Sequence, residues 1–229
     1  MSTQRHMITA ALALITIGAT PYFASADGDE HEGEHFDIAV WNDGGTLRTG
    51  GWDHDTEELE VQNLRVFEGM LGEDPEFPFS TDEPGVGGVA ADLGLMVGDT
   101  FSLNIASGLG AWTGSGFNYG ADSMIATWGG NTVNTNTGGA LDFLITEDYD
   151  NHPFFTLETE TPGAYLMEVT ASMAGYQSSD VFYILFNSGL DEEAFEEAHE
   201  YVEDVLVPAP GALALLGLLG ATRRRRRQN

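Results

Sequence analysis

Over most of this chain the apolar residues recur at every second position, and glycine breaks the runs before they reach helical length. Phe36, Ile38 and Val40 alternate with His35, Asp37, Ala39 and Trp41, so the two sets face opposite sides of an extended strand. Phe101, Leu103 and Ile105 repeat the pattern, and Ala164 to Thr170 continues it after a Pro162-Gly163 turn. The run Asp180–Phe186 goes further. Val181, Tyr183 and Leu185 are apolar on one face, and Phe182, Ile184 and Phe186 on the other. A strand of that kind must be covered on both sides, which predicts a central position.

Turn chemistry divides the rest. Asn42-Asp43-Gly44-Gly45 predicts a hairpin whose return arm is Thr46–Thr49, because glycine and asparagine tolerate the positive φ that tight hairpins need. Further strands are expected at Leu59–Val61, Leu64–Phe67, Met124–Trp128, Thr132–Thr135 and Leu141–Ile145. Gly50–Asp55 reads as a loop, Glu68–Gly88 as a long irregular loop, and Gly108–Asp122 as a surface excursion. The predicted class is mostly β, a single β-sandwich of immunoglobulin-like or jelly-roll-like type with about eight or nine short strands. The early tyrosine after the Pro-Gly turn, Tyr165, suits a sandwich of this type.

One helix closes the body. Leu190, Ala194, Phe195, Ala198, Val202, Val205 and Leu206 form a single apolar stripe. Ser188 or Asp191 can cap it, and Asp191, Glu192 and Glu193 favour the positive end of its dipole. The organisation read from the chain is 1–26 a signal peptide, 27–34 an acidic His-containing leader and 35–190 the β domain. Residues 191–206 are the amphipathic helix, and 207–229 are a separate tail.

Charge narrows the partners. All 37 acidic residues fall within 27–207, where Arg48 and Arg65 are the only basic ones; two positive charges against 37 negative give −35, against −29 for the whole chain. There is no lysine and no cysteine. Such a surface repels nucleic acid and anionic lipid. It attracts divalent cations or the cationic groups of a matrix polymer, or it serves only to keep a secreted protein solvated. Without disulfides, an exported domain must rely on its core or on metals.

The two ends carry addresses. Arg5, the apolar stretch Met7–Thr20 and the small-x-small site Ala24-Ser25-Ala26 have the form of a signal peptide cut after Ala26 by signal peptidase. The tail runs from Val207, Pro208, Ala209, Pro210 and Gly211 through an uncharged Ala/Leu segment, shorter than the roughly 20 residues that span a bilayer, to Arg223, Arg224, Arg225, Arg226 and Arg227. The arginines would hold the end on the cytoplasmic side. This layout resembles the PEP-CTERM sorting signal, with Ala209 where the family's motif usually has Glu. The resemblance implies a short transmembrane helix and an exosortase-type protease that cuts near Pro208–Gly211. The body would be transiently membrane-anchored and then placed on the outer surface or in an extracellular polysaccharide matrix. An anchor that is never cut is the alternative.

Chemistry concentrates in the histidines. No hydrolase elbow, phosphate loop or dinucleotide fingerprint occurs, so the chain is read as a non-enzyme. His31 and His35 stand beside Glu32, Glu34 and Asp37, and His54 between Asp53 and Asp55. Imidazole with carboxylate suits zinc or a similar divalent ion, although histidines in a polar leader also occur simply solvated. His199, near Glu196, Glu200 and Glu203, reads as a partly exposed helix residue.

The body also resembles PEP-CTERM proteins repressed by the zinc-uptake regulator. The matching pieces are His35 through Leu47-Arg48-Thr49-Gly50, then Arg65-Val66-Phe67, then His152 to Phe155 and Leu157. Pro162 to Leu166 and Ser179-Asp180 through Asp191 complete them. That family tends to have His-x-His where this chain has Asp150-Asn151-His152. The resemblance implies ligands at His35 and His152, with His31, His54 and Asp150 beside them; Asp37 joins the set because it shares a strand face with His35. The expected function is therefore an exported acidic binding protein for zinc or another divalent cation. The alternative is a structural acidic surface or matrix protein without a specific ligand.

Overall fold

The computed structural model describes residues 36–207. The expected signal peptide, the leader with His31, His35 and the tail from Pro208 onward lie outside the described residues. Within them the chain is mostly β, with one short helix at the C-terminal end. In chain order the strands are β1 (Asp37–Asp43), β2 (Thr46–Asp53), β3 (Glu58–Gln62), β4 (Val66–Met70), β5 (Ser80–Thr81) and β6 (Val86–Val89). Next come β7 (Thr100–Ile105), β8 (Gly110–Trp112), β9 (Phe117–Tyr119), β10 (Met124–Trp128) and β11 (Asn131–Asn134). The last are β12 (Ala140–Leu144), β13 (Asp148–Asn151), β14 (Phe154–Leu157), β15 (Gly163–Met173) and β16 (Phe182–Ser188). Helix α1 (Glu192–Tyr201) follows and runs into a π turn, Val202–Leu206.

The largest sheet has the order β12-β7-β15-β16-β4. Its eleven-residue strand β15 pairs with β7 along its C-terminal half and with β8 along its N-terminal half, so the β8–β9 hairpin extends the same edge. β4 lies parallel to β16, and the other pairings are antiparallel. Three smaller sheets complete the fold: β1-β2-β3, β11-β10-β14-β5 and the pair β13-β6.

The two-faced strand is central, as its sequence predicts. Every residue of β16 is buried. Phe182, Ile184 and Phe186 join the main core with Phe67, Phe101 and Phe143, and Tyr183 and Leu185 join a second cluster with Phe195, Ala198 and Val202 of the helical segment. Its second face is thus covered by the terminal helix. Asp191 is the cap: its carboxylate accepts from the Ala194 N–H at 2.9 Å. Ser188, the other candidate, belongs to β16. Val205, expected on the apolar stripe, is 58 % exposed. The π turn moves bonding from i+4 to i+5, with Val207 N–H donating to Val202 C=O at 3.0 Å, and carries Val205 off the buried face.

Glycine caused the other departures. Gly50–Asp55, expected as a loop, is strand as far as Asp53. A Cβ on Gly50 would stand 2.6 Å from both Leu59 Cδ1 and Val61 C=O, so this glycine admits the close approach of β3. The stretch Glu68–Gly88 contains the end of β4, all of β5 and most of β6. Gly108–Asp122 holds the β8–β9 hairpin, with Trp112 and Phe117 packed on Tyr201. Short paired segments of this kind raise the strand number well above that expected. No helix among the described residues is long and apolar enough to cross a membrane.

Candidate metal centre

Four of the six expected ligands are drawn together where β1, the β2–β3 turn and the β6–β13 pair meet. Asp37 opens β1 opposite Trp52 and is only 4 % exposed, so its carboxylate sits in the wall of the fold. Its Oδ1 accepts from the Gly85 N–H at 2.8 Å, and the Gly85 C=O accepts from the Ile38 N–H at 2.9 Å. That pairing locks β1 against the segment entering β6. The other oxygen, Oδ2, is 2.5 Å from His54 Nε2.

His54 owes its position to the turn after β2. Asp53 accepts from the Asp55 N–H at 2.7 Å and from Thr56 Oγ1 at 2.9 Å, a local loop that presents the intervening imidazole. Those bonds lower the Asp53 pKa, the Asp55 N–H first among them. Asp150 reaches the same point from β13, opposite Gly87. Its Oδ1 is 3.6 Å from His54 Nε2 and 2.7 Å from His152 Nε2, so one carboxylate oxygen stands between two imidazoles. The ligating atoms of Asp37, Asp150 and His152 all lie within 4.8 Å of one another.

A second ring of groups orients the first. His152 Nδ1 faces the Asp82 C=O at 3.1 Å and Glu83 Oε1 at 3.4 Å. With Nδ1–H donating to those acceptors, Nε2 faces Asp150: it donates to that carboxylate when the ring is charged and offers its lone pair to a cation when the ring is neutral. Glu83 Oε2 shares the Gly85 N–H with Asp37, accepting at 3.1 Å. Glu83 went unrecognised as a site residue because it lies in the Pro/Gly-rich stretch read as irregular loop. Its sequence signal is the acidic pair Asp82-Glu83 just before Pro84-Gly85.

Two acidic groups at one N–H donor, one of them buried, repel each other. Burial first, and then the Asp37 charge, raise the Glu83 pKa, against the pull of His152 and the Gly85 N–H. At His152 burial opposes protonation, yet Asp37, Glu83, the Asp82 carbonyl and Asp150 together outweigh it and raise the pKa. The cluster holds three carboxylates, Asp37, Glu83 and Asp150, against two imidazoles, and it therefore favours any cation that enters, proton or metal.

The donor set fits a borderline divalent ion. Nitrogen and oxygen donors without thiolate suit zinc and its first-row neighbours. Four ligands at about 2.0–2.1 Å in a tetrahedron have edges of about 3.3 Å; the His54–Asp150 separation of 3.6 Å is near that edge, and the contacts of 2.5 and 2.7 Å would open as an ion took the place of a shared proton. The wall beside these side chains is made of glycine. A Cβ on Gly85 would fall 2.5 Å from Asp37 Oδ2, and one on Gly87 would fall 3.0 Å from His54 Nε2.

A scan of the chain against family models, curated proteins and solved structures finds no match in any of the three.

Proposed function

We propose that this chain is an exported, acidic, surface-sorted protein that binds a divalent cation, zinc by preference, through Asp37, His54, Asp150 and His152. The observation that carries the reading is convergence: Asp37 of β1 and Asp150 and His152 of the β13 segment bring their ligating atoms within 4.8 Å of one another, and His54 from the β2–β3 turn stands against both carboxylates. Its β domain is read as a sandwich of immunoglobulin-like or jelly-roll-like type. Signal peptidase acts at Ala24–Ala26, and an exosortase-type protease acts on the Val207–Arg227 tail, as its resemblance to the PEP-CTERM signal implies. The body is then held at the outer surface or in the extracellular matrix. The protein is a binder and not an enzyme.

A second reading has its own observation, the formal charge of −35 on 27–207, drawn from 37 acidic residues against two arginines. It makes the protein a structural acidic surface component that collects cations without selecting among them. Calorimetry separates the two. The chelator-stripped full chain is expected to take one zinc per molecule with micromolar or tighter affinity, and a His54→Ala/His152→Ala variant is expected to lose that binding. Weak, many-site binding abolished by salt would overturn the specific site in favour of the acidic surface.

A further inference from the structure

Within the cation site, His54 differs from its three partners. Asp37 is tied to the Gly85 N–H, and His152 is tied through Nδ1 to the Asp82 carbonyl. Asp150 is carried on the β6–β13 ladder. The His54 side chain is 42 % exposed, sits in a turn, and meets the cluster through Nε2. Its ring is held by the 2.5 Å contact to Asp37 and has room to lie there because of the shape of the strand beneath. Gly87 is buried in β6, and an added Cβ there would lie 3.0 Å from both Cε1 and Nε2 of His54, and 3.2 Å from Asp37 Oδ2. Both ring contacts are tighter than ordinary van der Waals approach. The Gly87 backbone does not occupy the left-handed region, so φ does not require glycine at this position. Packing against the imidazole favours it, because a methyl would push the ring back.

We infer that Gly87 is a specificity-determining residue of the proposed site: the missing methyl is the seat of the His54 ring, and it makes a four-donor site out of a three-donor one. This rests on the cation-binding reading above. With the seat filled, the exposed ring swings out on its turn, and Asp37, Asp150 and His152 remain with solvent to complete the coordination. Gly87 touches no ion itself. It acts by positioning His54, and through the number of protein donors it sets which ions the site prefers. A four-donor set suits tetrahedral zinc, and a three-donor set with solvent suits ions that favour higher coordination.

The test is a cycle of Gly87→Ala, His54→Ala and the double variant in the full chain, titrated with zinc by calorimetry and with cobalt(II) by visible absorption. Cobalt reports coordination: a tetrahedral site absorbs strongly, and a five- or six-coordinate one weakly. Gly87→Ala is expected to weaken zinc binding by roughly 10–100-fold, the usual range for changes behind the ligands, and to convert the cobalt spectrum to the weak form. The double variant is expected to match His54→Ala alone. A Gly87→Ala protein with wild-type affinity and spectrum overturns the inference, as does a double variant whose losses add. Should Gly87→Ala fail to fold, Gly87→Ala/His54→Gly leaves room for the methyl. Recovery of folding in that pair supports the seat, and continued failure overturns it. A wild-type chain that binds neither ion stoichiometrically removes the cation site itself, a result distinguishable because it appears before any variant is made.

Discussion

Among the described residues, two places set imidazole among carboxylates, and they are built to opposite ends. At the β1–β6–β13 junction, Asp150 Oδ1 lies 2.7 Å from one imidazole nitrogen and 3.6 Å from another, and Asp37 closes the group from the buried side. On the helix, His199 Nε2 faces Glu68 of β4 at 3.3 Å while Nδ1 faces Glu203 at 4.0 Å. There the carboxylates lie at opposite nitrogens of one ring, and no single ion can reach both through that ring. The His199 arrangement is a strut that ties α1 to the sheet. The lesson concerns direction, because similar residue types make a binding site when their lone pairs converge and a clasp when they diverge.

The largest expected difference between the two comes from removing one charge at each. Asp37→Asn keeps an acceptor for the Gly85 N–H but removes the buried charge that balances a cation. Stoichiometric zinc binding should disappear in calorimetry, a loss beyond 100-fold, while the metal-free protein melts no lower than wild type because a repulsion with Glu83 has gone. Glu68→Gln should leave zinc binding unchanged. In wild type, zinc at a hundredfold excess over Kd should stabilise the fold by about 2.7 kcal/mol, a rise in Tm of roughly 5–11 °C. That shift should be absent in Asp37→Asn and present in Glu68→Gln. Equal effects at the two sites would erase the distinction.

Acidity sharpens the comparison next. In the cluster, Glu83 and His152 both hold their protons more tightly than usual, Glu83 above 4.5 through burial and the Asp37 charge, and His152 above 6.5 because the surrounding carboxylates outweigh its burial. A group whose folded pKa is raised contributes stability that is complete below its unfolded pKa and is lost as pH rises through the folded one. The chelator-treated protein should therefore lose stability as pH climbs from about 4.5 to beyond about 6.5. Zinc should restore more as pH rises, since ligation needs neutral imidazole. General repulsion across the acidic surface has the same sign, but salt screens it. The measurement is denaturant stability against pH at high salt, wild type against His152→Asn. A slope unaffected by that substitution would separate the pH response from the cluster.

How far the sequence anticipated these regions follows from what each depends on. Alternation located β7, β10, β12 and β15 because apolar side chains facing a core leave a period-two record. The double-sided apolarity of β16 correctly implied cover on both faces, though not that a helix would supply one of them. Gly50 and Gly87 were opaque, since glycine has the same letter whether it breaks a strand or lets another group lie against it. For the site, Asp37 and His54 were legible as residue types in acidic surroundings, and Asp150 and His152 only through the family resemblance. Their convergence depends on β6 pairing with β13 across some sixty residues, and no local pattern encodes that. Glu83 was missed for the related reason that its neighbours resemble a loop.

The smallest effects belong to the helix, and they test whether His199 is the strut its geometry makes it. Its side chain is 18 % exposed and sits between β4 and α1, so His199→Ala removes packing as well as a polar contact. The expected cost is about 1 kcal/mol, read from denaturant midpoints, with the zinc titration unchanged. Glu203→Gln should cost less, on the order of 0.3 kcal/mol, because an exposed i,i+4 contact at the limit of ion-pair distance contributes little. The order of the two is informative. If His199 acts through Glu68, removing the ring costs more than removing the Glu203 charge, and Glu68→Gln falls between them. If Glu203→Gln proves the more damaging, the helix is held by its own charges along its length, and the tie to β4 contributes little to its docking.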